Sequence, residues 1–317
     1  MKKISYLLVV ASALAACLRA TELPHTPGCE IARLVENVTL DVPLDLGVAL
    51  MPGTHYTKGW KLENIGTCPW SQEFMLAFSN GEAMNSPSQV PLLGEILPGQ
   101  STTIAVPLIA PHVAGVYSGE WALQNAQGDA VEVEGGPLAV EVEVAKLPED
   151  VAYDFLAAHC LAQWNTGLAI YLPCEGLAGE RIGWVTAWAD AYLEDVRISK
   201  SPVLTISPDN QDDGFIQGIY PPITVREEQR FKARIGCLGA MQGCELIFQL
   251  NYEIVGEPVR LTLAEWQERY DGTAAEVDVD LSPLVGEIVR FILEVRVNGG
   301  ATADAQGYWL AARIENH

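Results

Sequence analysis

Most of the chain consists of short segments in which apolar and polar residues alternate, separated by glycine, proline, asparagine and aspartate. No segment beyond the N-terminal region keeps an apolar period of 3.6 residues over several turns. A period of two residues is typical of strands that bury one face, as in β-sandwiches and barrels. The pattern therefore predicts an all-β protein.

The alternating segments form two groups, and 317 residues favour two domains. The first group has about the number of strands of an immunoglobulin-like sandwich, predicted over residues 29–146. Residues 147–156 are predicted to be a linker. The second group has eight or nine strands and predicts a jelly-roll β-sandwich over residues 157–317. The stretch YDFLAAHCLAQW at the start of this group is predicted to be partly helical.

Alternation also indicates where two tryptophans point. Trp60 shares a strand face with Leu62, and Trp121 shares one with Leu123. Both are predicted to be core residues, because a buried indole contributes a large apolar area. Trp70 follows Cys68-Pro69 at a strand end, where its ring either caps the core or stays exposed.

The N-terminus predicts export. Two lysines precede an apolar run that ends at Ala16, too short to span a membrane and typical of a signal peptide over residues 1–16. The sequence LAAC ending at Cys17 resembles the lipobox of bacterial lipoproteins, which implies lipidation of Cys17. Residues 17–28 would then be a tether, and the protein would be anchored by lipid to a membrane in the cell envelope, outside the cytoplasm. The alternative is an ordinary signal peptide with a chance cysteine.

The number of cysteines agrees with this interpretation. The chain has seven, and an odd number leaves one cysteine of an exported protein without a disulfide partner. If Cys17 is lipidated, six cysteines remain, and an oxidising compartment allows three disulfides. Neighbour spacing favours one of the 15 connectivities. The favoured pairs are Cys29 with Cys68, Cys160 with Cys174, and Cys237 with Cys244. A zinc site is disfavoured, because no two of these cysteines have Cys-x-x-Cys spacing.

Charge narrows the class of partner. The chain has 41 acidic and 19 basic residues, a formal net charge of −22. Nucleic-acid binding depends on basic patches that neutralise phosphates, so a nucleic-acid partner is excluded. An acidic surface suits cations, basic partners or neutral ligands such as sugars, and it also serves solubility alone.

Several motifs of the first domain occur in order: TKGWKLENIGTCPW, LPGQ, Ala110-Pro111 and GVYSGEWAL. Together they resemble the four-tryptophan domain, the immunoglobulin-like module of autophagy cargo receptors that also occurs in bacterial extracytoplasmic proteins. Trp60, Trp70 and Trp121 match three of that family's tryptophans, and Ala139 occupies the place of the fourth. The resemblance implies recognition of a protein or peptide.

The second domain is similar, more loosely, to the galactose-binding-like jelly rolls of carbohydrate-binding modules. The LSPLVG turn, the long strand after it and Tyr308-Trp309 carry this resemblance. It implies sugar stacking on exposed aromatic rings and a calcium ion at the edge of the sandwich. The candidate ligand-binding aromatics of the chain are Trp70, Trp164, Trp184, Trp188, Tyr220 and Trp266. A core position is the alternative for each, and Trp184 and Trp188 share one strand face.

The loop SPDNQDDG places Asp209, Asp212 and Asp213 close together in sequence. Hard oxygen ligands of this kind suit calcium. The spacing is not that of an EF-hand, and acidic loops are common in acidic proteins, so a solvated turn is the alternative. No other cofactor is predicted.

Signatures of catalysis are weak. The chain has no Gly-x-Ser-x-Gly elbow and no His-Glu-x-x-His motif, and its histidines are scattered. His159 adjoins Cys160, but a cysteine held in a disulfide cannot act as a nucleophile.

The sequence therefore predicts a non-catalytic lipoprotein that presents two binding modules, one for protein or peptide and one for carbohydrate. One alternative is a structural envelope protein that self-associates. Another is a divergent glycan hydrolase with an acid pair in the jelly roll, which 41 carboxylates leave open.

Overall fold

The computed structural model describes residues 29–40, 42 and 47–317. The predicted signal peptide, Cys17 and the tether lie outside this range. Within it the protein is all-β, as the alternation predicted, with single 3₁₀ turns at His159–Leu161, Ser282–Leu284 and Thr302–Asp304. No helix in the described range is long and apolar enough to cross a membrane.

The first eight strands form a sandwich of two four-stranded sheets. Their bounds are β1 (Ile31–Thr39), β2 (His55–Asn64), β3 (Met75–Gly81), β4 (Gln89–Pro91), β5 (Ser101–Ile109), β6 (Gly115–Gln124), β7 (Glu132–Glu134) and β8 (Leu138–Val144). One sheet has the order β5-β2-β1-β7 and the other the order β4-β3-β6-β8. Neighbouring strands are antiparallel except β1 and β7, which pair in parallel.

The two predicted core tryptophans meet between these sheets. Trp60 of β2 and Trp121 of β6 are buried, and their ring centroids are 5.5 Å apart. Phe78 packs edge-on against Trp121 at 5.5 Å. The prediction that both indoles belong to the core is confirmed, and each links one sheet to the other.

The remaining strands form a second, larger sandwich. Their bounds are β9 (Val151–Asp154), β10 (Gln163–Thr166), β11 (Ile170–Leu172), β12 (Trp184–Trp188), β13 (Val203–Ser207), β14 (Phe215–Ile219), β15 (Ile223–Thr224), β16 (Gln229–Cys237), β17 (Glu245–Ile254), β18 (Arg260–Arg269), β19 (Ala275–Asp280), β20 (Ile288–Val297) and β21 (Gly307–Asn316). The order β11-β10-β14-β20-β17-β18, with β15 also on β20, makes the seven-stranded sheet. The order β12-β13-β21-β16-β19, with β9 also on β21, makes the six-stranded sheet.

The start of this sandwich corrects two predictions. β9 lies inside the predicted linker 147–156, pairs with β21, and buries Val151 and Tyr153. The predicted partly helical stretch forms one 3₁₀ turn and then β10. Residues 155–158 form turns before the 3₁₀ turn, while Phe155, Leu161 and Trp164 are buried in the core. That burial depends on strands distant in sequence, and local periodicity does not record it.

The core of the second sandwich is aromatic. Phe155 packs edge-on against Tyr220 at 4.8 Å and Phe231 at 5.3 Å. Trp309 packs edge-on against Phe248 at 5.2 Å. Rings at these distances and angles contribute about 0.5–1.5 kcal/mol per pair beyond the area they bury.

Three disulfides join the pairs that spacing favoured: Cys29–Cys68, Cys160–Cys174 and Cys237–Cys244. The first fixes the start of the first sandwich, where the N–H groups of Thr67 and Cys68 donate to the Cys29 carbonyl. The other two lie in the second sandwich.

The two sandwiches contact each other directly. The His55 N–H donates to the Pro222 carbonyl at 2.8 Å, and Thr54 forms an isolated bridge with Ile223. Each of these bonds pairs a backbone group of one sandwich with a backbone group of the other, so neither group is left without a partner at the contact.

Candidate functional site

Four of the candidate ligand-binding aromatics are core residues. Trp70, Trp164, Trp184 and Tyr220 are each no more than 1% exposed. The Trp164 indole N–H donates to the His159 carbonyl at 2.8 Å, which fixes the ring in the interior. These four rings therefore offer no face to a ligand, and a binding role for them is excluded by their packing.

The other two candidate aromatics, Trp266 and Trp188, are not fully buried. Trp266 of β18 is partly buried and meets Trp309 edge-on at 6.4 Å. Trp188 is 36% exposed at the end of β12, and its ring centroid is 5.5 Å from that of the buried Trp184. Trp188 is thus a ring supported from one side and open to solvent.

Trp188 belongs to a concentration of exposed apolar side chains. Among the described residues, nine of the nineteen large apolar side chains that are exposed lie between positions 168 and 198. They are Leu168, Ile170, Tyr171, Leu177, Ile182, Trp188, Tyr192, Val196 and Ile198. We call this set the edge surface. Single exposed apolar residues are normal on a protein, whereas apolar side chains exposed together on one surface mark a place of interaction.

The edge surface follows the outer strands of both sheets. β11 is the outer strand of the seven-stranded sheet, β12 is the outer strand of the six-stranded sheet, and the segment 173–183 connects them. Tyr171, on β11, is 71% exposed and has a positive φ of 57°. An aromatic residue in the left-handed region is unusual, because its Cβ crowds the backbone there.

A network of bonds holds the connecting segment against β12. Glu175 accepts hydrogen bonds from the Thr186 hydroxyl and the Ala187 N–H, and one of its oxygens is 2.8 Å from His159 Nε2. Burial would raise the pKa of Glu175, but the bonds from Thr186 and His159 outweigh it and lower that pKa. With the Cys160–Cys174 disulfide, this network braces the backbone beneath the edge surface.

His159, Cys160, Cys174 and Glu175 also make up the one group of three or more metal-ligand side chains found in the described part of the chain. Both sulfur atoms are joined to each other, so neither is a thiolate ligand or a nucleophile in this form. The arrangement has a structural use as it is, namely the bracing just described.

The three carboxylates of the acidic loop, considered from the sequence for calcium, differ in their surroundings. Asp209 is buried, and its Oδ2 accepts from the Gly167 N–H at 2.8 Å, whereas Asp212 and Asp213 are exposed. These three carboxylates are not among the side chains that the described structure gathers around one point. Asp209 links the loop to the turn of the β10–β11 hairpin.

Two carboxyl groups near the β18–β19 turn lie close enough to affect each other. Burial raises the pKa of Glu268 to about 7, and the charges of Glu194 and Asp271 add to this. Burial also raises the pKa of Glu194. Its two oxygens accept from the N–H groups of Cys237 at 2.8 Å and Asp271 at 3.2 Å. Because both oxygens bind backbone, Glu194 connects its own loop to the end of β16 and to the β18–β19 turn.

Sequence reasoning missed two aromatic members of the edge surface, Tyr171 and Tyr192. Their signal was weak, since each stands in a short segment without clear alternation. It also treated the histidines as scattered, whereas His55 and His112 meet in a cleft between the sandwiches.

Comparison with known proteins shows that the first sandwich matches a family model. Residues 44–144 match the Ig-like domain from next to BRCA1 gene. Protein ILRUN of Danio rerio is 28% identical over 114 residues, which is 33% of this chain and 40% of ILRUN. Next to BRCA1 gene 1 protein of Homo sapiens is 30% identical over 108 residues, 32% of this chain and 11% of that protein. The chain thus spans less than half the length of these relatives.

Among solved structures, carbohydrate-binding modules of the β-sandwich superfamily with promiscuous specificity align with a TM-score of 0.32 and 11% identity, over 91% of this chain and 99% of theirs. The CBM22-1 xylan-binding domain of Xyn10C from Paenibacillus barcinonensis aligns with a TM-score of 0.33 and 8% identity, over 53% of this chain and 97% of that one. These likenesses are distant and carry no functional argument. The first sandwich is similar to the Ig-like domain from next to BRCA1 gene.

Proposed function

We propose that this protein is a non-catalytic, lipid-anchored protein of the cell envelope that presents two β-sandwich binding modules. The first module recognises a protein or peptide, in keeping with its similarity to the Ig-like domain family. The second recognises carbohydrate through the edge surface. The observation that carries the proposal is the concentration of exposed apolar side chains there, which includes the rings of Tyr171, Trp188 and Tyr192.

The physical basis is the pairing of an aromatic face with the apolar face of a sugar ring. A flat ring held rigidly from below loses little conformational entropy on binding. Trp188 meets this condition through its contact with Trp184. The overall negative charge of the protein favours a neutral glycan over an acidic one at this exposed surface.

The test is a glycan array followed by calorimetry of the full-length protein and two variants. Trp188→Ala should weaken binding of any neutral glycan by about tenfold or more, because aromatic anchors dominate interface energies. Leu93→Ala is the matched control, since Leu93 is 97% exposed but lies in the first sandwich. No binding on the array, or equal binding by the Trp188 variant, would contradict the carbohydrate proposal.

Self-association is the second candidate function, and the aliphatic members of the edge surface favour it. Ile170, Leu177 and Ile198 are well suited to a protein interface, which needs a desolvated apolar centre. Sedimentation would decide between the two. A dimer that Leu177→Asp converts to a monomer would support self-association, whereas a monomer at all concentrations would leave carbohydrate as the proposal.

A hydrolase would depend on the pair Glu194 and Glu268. The two backbone bonds to Glu194 support a structural role for it, and this favours the non-catalytic proposal. Turnover of a polysaccharide that is lost in Glu268→Gln would overturn it.

A further inference from the structure

A cleft of about 800 Å³ lies between the two sandwiches. His55 and His112 of the first sandwich line one side, and Thr224 and Arg226 of the second line the other. The connecting segment 145–149 borders it. The volume is in the range of pockets that hold small ligands.

The charge of this cleft differs from that of the protein as a whole. Its titratable lining side chains are His55, His112, Lys146, Glu149 and Arg226. Two fixed cations therefore face one carboxylate, in a chain with a formal net charge of −22. A local excess of positive charge in a concave site concentrates anions there.

Arg226 is the central cation. Its guanidinium Nη2 contacts the ring nitrogens Nε2 and Nδ1 of His112, and its backbone N–H donates to Gln229 Oε1 at 2.9 Å. The described residues offer it no carboxylate partner, although other arginines such as Arg230 and Arg260 have one. A guanidinium fork fits a carboxylate with two parallel hydrogen bonds.

The two histidines provide charge that depends on pH. Burial lowers the pKa of His55, and the charge of His112 adds to this effect. Burial also lowers the pKa of His112, together with the charge of Arg226. Both rings are therefore neutral near pH 7, and each becomes cationic as the pH falls. His55 Nε2 is already 3.0 Å from Thr224 Oγ1, which orients its ring.

We propose that this cleft binds the carboxylate group of a small organic ligand, the size of a disaccharide or dipeptide, with Arg226 as its anchor. Lys146 lines the same cleft and adds a second fixed positive charge, and His112 adds its own charge only when it is protonated at lower pH. The anchor comes from the second sandwich and the histidines from the first, so the ligand contacts both. A ligand that binds only this arrangement stabilises the folded pair by mass action. This site is separate from the edge surface and does not depend on the function proposed for it.

The experiment uses calorimetry of the full-length protein with three probes: a uronic acid disaccharide, its neutral carboxyl-reduced counterpart, and the dipeptide Gly-Glu. We expect saturable binding of at least one carboxylate probe and much weaker binding of the neutral sugar. The two carboxylate arms distinguish an acidic sugar from an acidic peptide as the source. Affinity should increase as the pH falls below 6.5, the ordinary histidine pKa, because the pKa of each histidine is lowered from that value and the rings gain charge only there.

Arg226→Gln should weaken carboxylate binding by about 10- to 100-fold, the effect of losing a charged hydrogen-bonding partner. Arg260→Gln is the matched control, an arginine that pairs with Glu253 at 2.9 Å outside the cleft, and it should bind as wild type does. Thermal unfolding of each variant checks its fold. If Arg226→Gln fails to fold, Lys146→Gln serves instead and should also weaken binding.

Three results would overturn the proposal. They are no binding of either carboxylate probe, equal binding of the neutral sugar, and undiminished binding by folded Arg226→Gln.

Discussion

Residues of one type take different roles in this protein according to what covers them. Trp60, Trp70 and Trp121 are buried between the sheets of the first sandwich, while Trp188 is exposed in the second. Strand alternation identified Trp60 and Trp121 correctly, because each stands on the face that its own sheet buries. It could not separate Trp184 from Trp188, which share a face: Trp184 is buried in a small cluster with Ala191, Leu193 and Leu238, whereas Trp188 is 36% exposed.

The charge of Glu268 likewise depends on the groups around it. Burial raises its pKa to about 7, and the charges of Glu194, from a distant segment, and of Asp271, three residues along the chain, add to this effect. Since the folded pKa lies above the ordinary value of 4.5, folding favours the protonated form. The stability that this provides is present at low pH and is lost as the pH rises from about 4.5 to about 7.

We therefore predict that Glu268→Gln reduces the pH dependence of stability. The variant should unfold at a higher temperature than wild type near pH 8, because an amide carries no charge to repel Glu194 and Asp271. Thermal unfolding across this pH range measures it. Glu257→Gln, in an exposed turn, is the control and should follow wild type. Parallel curves for wild type and Glu268→Gln would show that the group titrates normally.

At the level of elements, the sequence located strands well and their ends poorly. β2 and β6 agree with their alternating segments, whereas β9 was taken for linker. A strand of four residues contributes little pattern of its own. β9 is a strand because β21 provides its hydrogen-bonding partners.

The contributions of two of the disulfides to the free energy of unfolding can be compared. Cys29–Cys68 closes a separation of 39 residues and Cys160–Cys174 one of 14. On the chain-entropy account, replacing both cysteines by alanine should reduce the free energy of unfolding by about 4 kcal/mol for the first pair and about 3 kcal/mol for the second. Denaturant unfolding of the two double variants measures the difference. A larger loss for the shorter loop would mean that strain or packing, not loop closure, dominates.

On the scale of the whole molecule, the arrangement of the two sandwiches creates the cleft, which is lined by residues of both. The contacts of Thr54 and His55 with the second sandwich bring His112 to Arg226, 114 positions apart in the chain. The edge surface similarly depends on outer strands of two different sheets, β11 and β12, and on the segment between them, which is hydrogen-bonded to β12.

The proposed lipid anchor at Cys17 also concerns the whole molecule. Cys17 lies outside the described residues, and its lipidation remains a prediction from the LAAC sequence. Expressed in a bacterium, the wild-type protein should incorporate a labelled fatty acid and fractionate with membranes. Cys17→Ser should lose the label and leave the membrane fraction. Cys29→Ser, a cysteine outside the lipobox, is the control and should keep the label. Label on Cys17→Ser would contradict the assignment.

The sequence by itself determined the all-β class, two sandwiches, the inward direction of Trp60 and Trp121 and the preferred cysteine pairs. These depend on period-two burial and short separations, which are local along the chain. Only the tertiary structure decided which aromatic rings are exposed, how Glu194 reaches Glu268, and how His55 and His112 meet Arg226. The physical reason is that exposure, pKa and cleft formation depend on groups far apart in sequence, whose approach no local pattern encodes.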